Sequence, residues 1–314
     1  MVIVATGGTI ANTPEGRVAV EVIIEAMPEV LEIADLSIVD VTRVGSSSLT
    51  FQEFIDTAKA IEEVVATQPD VAGIVVTVGS NTSEDLAWFL NLVVHTDVPI
   101  VVTAAQRQRT TLSEDASRNF LDAVITAASP NAGGRGVLMV VNEEIHAARE
   151  VTKTVVSRVD TWQSFNLGVL GLISDDQAFF YRTPERRHTS GSEFSLDAIA
   201  DMADLPRVDI FYSYVGSSAA MIEAAIAAGA RGIVIATFLT GSPHIGQREA
   251  IDAAAASGVA VVYTTRGTEG RVGGDGDPII GGDTLTPQKA AILLMMALTV
   301  TEDPMEIQRI FNAY

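Results

Sequence analysis

Cysteine is absent from the 314 residues, and lysine nearly so: Lys59, Lys153 and Lys289 are the whole complement. The missing thiols exclude disulfides, thiolate catalysis and cysteine-ligated metals. Basic residues are scarce altogether, 20 lysines and arginines against 40 aspartates and glutamates, for a net charge of -20. A surface that acidic repels phosphate backbones and anionic headgroups, so neither nucleic acid nor a membrane is an expected partner. No apolar run approaches the roughly 18 residues of a membrane span. Met1 leads straight into an apolar strand with no basic leader before it, and a soluble, cytoplasmic protein is the expectation. None of His95, His146, His188 and His244 pairs at metal-ligand spacing. Asp275-Gly276-Asp277 matches a fragment of a calcium loop without the other ligands, and reads as a turn. No metal site is expected.

What is present is apolar and periodic. Hydrophobic residues make up 47% of the chain, enough for a large core. Short β-branched runs alternate with helical patterns, the signature of βαβ units around a mostly parallel sheet. Strands are predicted at 1–5, 73–78, 100–103, 136–141, 208–212, 232–237 and 259–264. Helices are predicted at 20–33, 51–66, 83–93, 113–127, 218–228, 247–256 and 286–298, several with N-cap chemistry such as Thr286-Pro287. The polar stretch Tyr181 to Pro206 breaks this rhythm. An α/β chain is therefore expected, with a larger N-terminal domain over 1–185, a linker over 186–206 and a smaller C-terminal domain over 207–314.

Ligands of open parallel sheets bind beyond the carboxyl ends of the strands. Three hydroxyl- and glycine-rich segments fall at such ends: Thr6-Gly7-Gly8-Thr9-Ile10-Ala11, Gly45-Ser46-Ser47-Ser48 and Val78-Gly79-Ser80-Asn81-Thr82. Taken singly, each reads as a turn or a cap. The Gly-Gly-Thr turn has neither dinucleotide-binding nor P-loop spacing. Adjacent glycines do leave the Thr9 hydroxyl beside exposed backbone N–H groups, and a helix starting at Ser83 would aim its own N–H groups at the second cluster. Lys153 lies among threonines in Glu150-Val151-Thr152-Lys153-Thr154, a setting for a desolvated base acting on a hydroxyl. Lys59 and Lys289, on predicted helices, read as surface lysines.

In combination these segments resemble the bacterial-type L-asparaginase and glutaminase family from end to end. Thr6–Ala11 is similar to its T-G-G-T-I-A signature, Ile145–Thr154 to its lysine segment, Arg182-Thr183-Pro184 and His188-Thr189 to the opening of its linker, and Thr284–Ala290 with Ile307–Phe311 to its C-terminal end. The resemblance implies a two-domain asparaginase-like α/β fold, cofactor-free hydrolysis of a small amide through a threonine and an acyl-enzyme, and a homodimer or homotetramer with shared active sites. Carried over by position, it implies catalytic roles for Thr9, Ser80 and Lys153. It assigns the substrate's α-carboxylate to Ser46 with Ser47 beside it, and places Gly8, Gly79 and Asn81 in the ligand shell.

Two departures stand out. Where the family reads H-G-T-D-T, this chain reads Val78-Gly79-Ser80-Asn81-Thr82, so a neutral amide replaces the aspartate that anchors the substrate's α-ammonium. The loop Asn12–Arg17 lacks the family's tyrosine, leaving Thr13, Glu15 or Arg17 of the loop, or Glu269 from another subunit, as residues able to assist Thr9. The expectation is an asparaginase-like amidohydrolase of a small carboxamide, with a substrate lacking the α-amino group as the hypothesis these departures suggest; lactone, cyclic imide or lactam hydrolysis on the same fold, or ligand binding without catalysis, are the alternatives. Lys153 is expected to have no neighbouring carboxylate.

Overall fold

The computed structural model describes residues 1–8, 12–13, 16–17, 20–199 and 201–314. Two compact units divide the chain, Met1–Leu196 and Asp197–Tyr314.

In the first unit, β1 (Val2–Ala5) precedes a two-residue antiparallel ribbon, β2 (Asn12–Thr13) with β3 (Gly16–Arg17). The helices α1 (Val20–Glu25) and α2 (Glu29–Ile33) then lead to β4 (Ser37–Asp40). The single helix expected over 20–33 is thus split, because Pro28 lacks the N–H that a continuous helix needs and disfavours helical backbone at Met27. Next come α3 (Phe51–Thr67), β5 (Ile74–Thr77), α4 (Ser83–Val93), β6 (Ile100–Thr103), α5 (Ala116–Ala128) and β7 (Val137–Val141). Antiparallel additions follow: β8 (Glu144–Ala147), the ribbon β9 (Thr152–Lys153) with β10 (Trp162–Gln163), and the hairpin β11 (Gly171–Ser174) with β12 (Gln177–Phe180).

Eight of these strands form one sheet in the order β12-β11-β8-β7-β6-β5-β1-β4. From β4 to β7 neighbours run parallel, and from β7 to β12 antiparallel. β1, β5 and β6 are buried at every residue, as strands covered on both faces must be. Ile3, Val75, Val101 and Leu138, aligned across the sheet, form one core with Ile23, Val30, Phe120 and Val124 from α1, α2 and α5. α3 and α4, which touch β1, β6 and β7, cover the other face. α3 starts with a capping box in which the Thr50 hydroxyl accepts from Gln52 N and the Glu53 carboxylate from Thr50 N.

The second unit is a four-stranded parallel sheet, β13 (Val208–Tyr212), β14 (Gly232–Thr237), β15 (Ala260–Thr265) and β16 (Ile279–Gly281), in that order. On one face, α6 (Ala220–Ala227) and α7 (Ile245–Ala256) pack on Ile233, Ile235 and Val261. α8 (Pro287–Ala297) lies on the other, where a Cβ on Gly232 would stand 2.7 Å from Leu294. α9 (Pro304–Ala313) packs beside β16. Lys289, expected at the surface, is 1% exposed. α8 is covered on nearly all sides, so the sequence position that looked peripheral is interior. No helix among the described residues is long and apolar enough to cross a membrane.

Candidate active site

Parallel pairing of β1 with β5, Ala5 opposite Thr77, brings the segments after both strands to the same sheet end. Thr6 locks them together, donating both its N–H (3.0 Å) and its hydroxyl (2.8 Å) to Thr77 O. The two glycine turns then press together. Gly8 has φ +95°, and a Cβ there would sit 2.3 Å from Gly79 N; a Cβ on Gly79 would meet the Ser46 side chain at 2.5 Å. Only residues without side chains permit this approach. Ser46, in a single 3-10 turn (Ser46–Ser48), accepts a long contact from Thr82 Oγ1 at its carbonyl, 3.5 Å. Gly8, Ser46, Gly79 and Ser80 therefore converge, while Ser47 and Asn81 are exposed beside them. Thr9 and Glu15 lie outside the described residues, as do the side chains of Thr13 and Arg17. Glu269 belongs to the second unit.

Lys153 arrives from 73 positions further along the chain and donates from Nζ to Ser80 Oγ at 2.9 Å. The β9–β10 ribbon pairs Lys153 with Trp162, whose indole N–H donates to Ser83 Oγ at 3.2 Å. The ammonium stands 5.8 Å from the Trp162 ring centre, within cation–π range. The neighbouring loop is held by Gln106, whose amide donates to Arg158 O at 3.2 Å. Ser80 is buried.

Burial pushes the Lys153 ammonium below its ordinary range, and the carboxylates of Glu84 and Asp115 partly offset this by raising it. This corrects the expectation of no neighbouring carboxylate. Glu84 is in the first turn of α4, four residues after Ser80, and accepts the Lys153 backbone N–H at 3.2 Å. Asp115 sits just before α5 and accepts from Gln106 N, Arg107 N and Asn119 Nδ2. Sequence reasoning missed both. Glu84 reads as an ordinary acidic residue at a helix start, and nothing local links Asp115 to a lysine 38 positions away. Among the described residues no group of three or more His, Asp or Glu side chains is placed to hold a metal ion.

A doubly covered, mostly parallel sheet with glycine turns at its carboxyl end and a hydroxyl–lysine pair beside them defines the class: an α/β scaffold with a polar, thiol-free site at the sheet end. Similarity to known proteins carries this further. The family description "Asparaginase, N-terminal" matches residues 1–186 and "Glutaminase/Asparaginase C-terminal domain" residues 207–311. L-asparaginase 2 of Bacillus subtilis is 40% identical over 99% of this chain and 86% of its own length. L-asparaginase 2 of Escherichia coli is 37% identical over 99% and 92%. The crystal structure of a probable cytoplasmic L-asparaginase from Campylobacter jejuni superposes with a TM-score of 0.94 at 35% identity, covering 100% of this chain and 99% of that one. The chain belongs to the bacterial-type asparaginase/glutaminase family of amidohydrolases.

Proposed function

We propose that this protein hydrolyses a small linear carboxamide through a hydroxyl nucleophile and an acyl-enzyme. The observation that carries the reading is the 2.9 Å contact between Lys153 Nζ and Ser80 Oγ at the carboxyl end of the sheet. A lysine whose ammonium is destabilised by burial is more readily neutral, and a neutral amine can accept the proton of the hydroxyl it touches. Thr9, one residue beyond Gly8, attacks the carbonyl carbon. Its proton passes by way of Ser80 to Lys153 and on to the departing nitrogen, which leaves as ammonia. Water then hydrolyses the ester, with the same relay taking its proton. Backbone N–H groups at the glycine turns and at the start of α4 stabilise the oxyanion.

The Lys153–Ser80 contact also favours a second reading, in which Ser80 is itself acylated. Quenching Thr9→Ala and Ser80→Ala during turnover, followed by mass spectrometry of the digested protein, distinguishes the two. An ester on Ser80 would overturn the assignment of Thr9.

Asn81 places a neutral amide at the rim of this cluster, where the family pattern has an aspartate. Without that charge, the site loses the partner of an α-ammonium, a charge-assisted hydrogen bond of about 1.5–3 kcal/mol. Substrates without the α-amino group, such as a dicarboxylic monoamide, are accordingly favoured. Comparing kcat/KM for asparagine and succinamate by ammonia release tests this: a strong preference for asparagine would sink it. The assembly proposed is a homodimer or homotetramer, read out as mass by light scattering.

A further inference from the structure

A cavity of about 430 Å³ lies in the first unit, and none of the residues proposed for catalysis lines it. Val137, Ala147 and Leu170 give its lining an apolar part, Asn91 and His188 a neutral polar part, and five arginines also line it: Arg135, Arg149, Arg182, Arg186 and Arg187. Glu150 and Glu185 are the acidic residues of the lining. The chain as a whole carries -20 and has only 20 basic residues, so this concentration of positive charge runs against its composition. Like charges gathered around one concavity raise one another's energy, and an anion relieves that cost.

The walls are built. Arg135 donates to Arg182 O (2.8 Å) and Thr183 Oγ1 (2.6 Å) and stacks on Phe180, while Arg187 pairs with Glu193 at 3.0 Å. These contacts hold the 182–188 segment over the cavity. Arg149 is 7% exposed and pairs with Glu150 at 2.9 Å. Arg182 reaches Val169 O at 3.5 Å, a long contact on an exposed side chain that is open to exchange for a stronger acceptor.

The cavity and the Ser80 cluster share one short segment. Val137 opens β7, so the cavity is at the amino end of the parallel strands, opposite the glycine turns. From Ala147 the chain turns, with Glu150 N and Val151 N both donating to Ala147 O, and buries Val151 against Met139, Val141 and Trp162. Two residues later Lys153 meets Ser80. Arg149 and Glu150 thus line the cavity four and three positions before the lysine.

We propose that this cavity is an effector site for a small organic anion, a short aliphatic chain bearing one or more carboxylates, coupled to Lys153 through the Ala147–Lys153 segment. The apolar lining residues take the carbon chain and the guanidinium groups take the carboxylate oxygens. The coupling to Lys153 rests on the amidohydrolase reading; the binding does not.

Calorimetric titration of the full chain with succinate, and separately with inorganic phosphate, tests the site without any appeal to activity. Saturable succinate binding is expected, weakened about tenfold or more in Arg182→Gln/Arg186→Gln at unchanged melting temperature. A second readout is slower arginine modification by phenylglyoxal at Arg149 and Arg186 when succinate is present. In turnover assays succinate is expected to change kcat in the wild type and not in the double variant. The site is overturned by no saturable binding, by phosphate binding as tightly as succinate, or by succinate binding that the double variant leaves intact and substrate competes away. A kcat indifferent to saturating succinate overturns the coupling.

Discussion

At the scale of single residues, the proposed chemistry turns on one proton acceptor. Lys153→Met removes it while keeping an unbranched chain against Trp162, and kcat is expected to fall about 10²–10⁴-fold with the melting temperature little changed. Lys153→Arg is expected to fail as well, since a guanidinium stays protonated; recovery of ammonia release by arginine would refute a base role. Glu84→Gln tests the electrostatics. Glu84 raises the lysine's proton affinity, so its neutral isostere lowers that affinity further while keeping an acceptor for Lys153 N. The rising limb of the pH–rate profile therefore moves to lower pH, and a shift to higher pH would contradict the assignment. Of this cluster, Ser80 and Lys153 were legible in the sequence because each stands in a distinctive local string. Glu84 and Asp115 were not, since their influence on Lys153 is created only by the crossing of α4, the loop before α5 and the β9–β10 ribbon.

Individual elements carry their own constraints. The contact of the two glycine turns leaves no room for a methyl group. Gly8→Ala combines a positive φ with a Cβ overlapping Gly79, and is expected to cost about 1–3 kcal/mol or more, measured as a lowered urea midpoint. α5 contains a buried carboxylate, Asp122, 2.7 Å from Arg118 one turn earlier. Burial pushes its carboxyl up to about 6 from an ordinary 3.8, with Arg118 opposing. Between those values the folded state holds more protons than the unfolded one, so stability falls as pH rises through that window and levels off above it. Asp122→Asn is expected to flatten this segment of the urea-midpoint profile. Helix and strand positions were mostly readable from periodicity; Ser83–Val93 begins and ends where the pattern does. The exceptions have local or distant causes. Pro28 divided one helix, while short strands such as Glu144–Ala147 and Gly171–Ser174 are defined by their antiparallel partners, not by their own composition.

For the whole molecule, net charge acts on every part of the surface. At -20, self-repulsion opposes the compact state, and salt screens it over about 10 Å at 0.1 M ionic strength. The melting temperature at neutral pH is expected to rise as sodium chloride is added, read by differential scanning fluorimetry. A fall would show that specific ion pairs, such as those along Arg118, outweigh the net repulsion.

Sequence by itself determined the α/β class, the alternation of buried strands with capped helices, the family, and the local strings holding Gly8, Ser46, Ser80 and Lys153. These are properties of neighbours in the chain, and periodicity and turn chemistry record them. Tertiary structure alone decided that Lys289 is interior, that two carboxylates act on Lys153, and that five arginines from three stretches of the chain line one cavity. Burial and electrostatic coupling depend on distance in space, and the packing of helices, loops and antiparallel ribbons around the sheet brings together residues that the sequence keeps tens of positions apart.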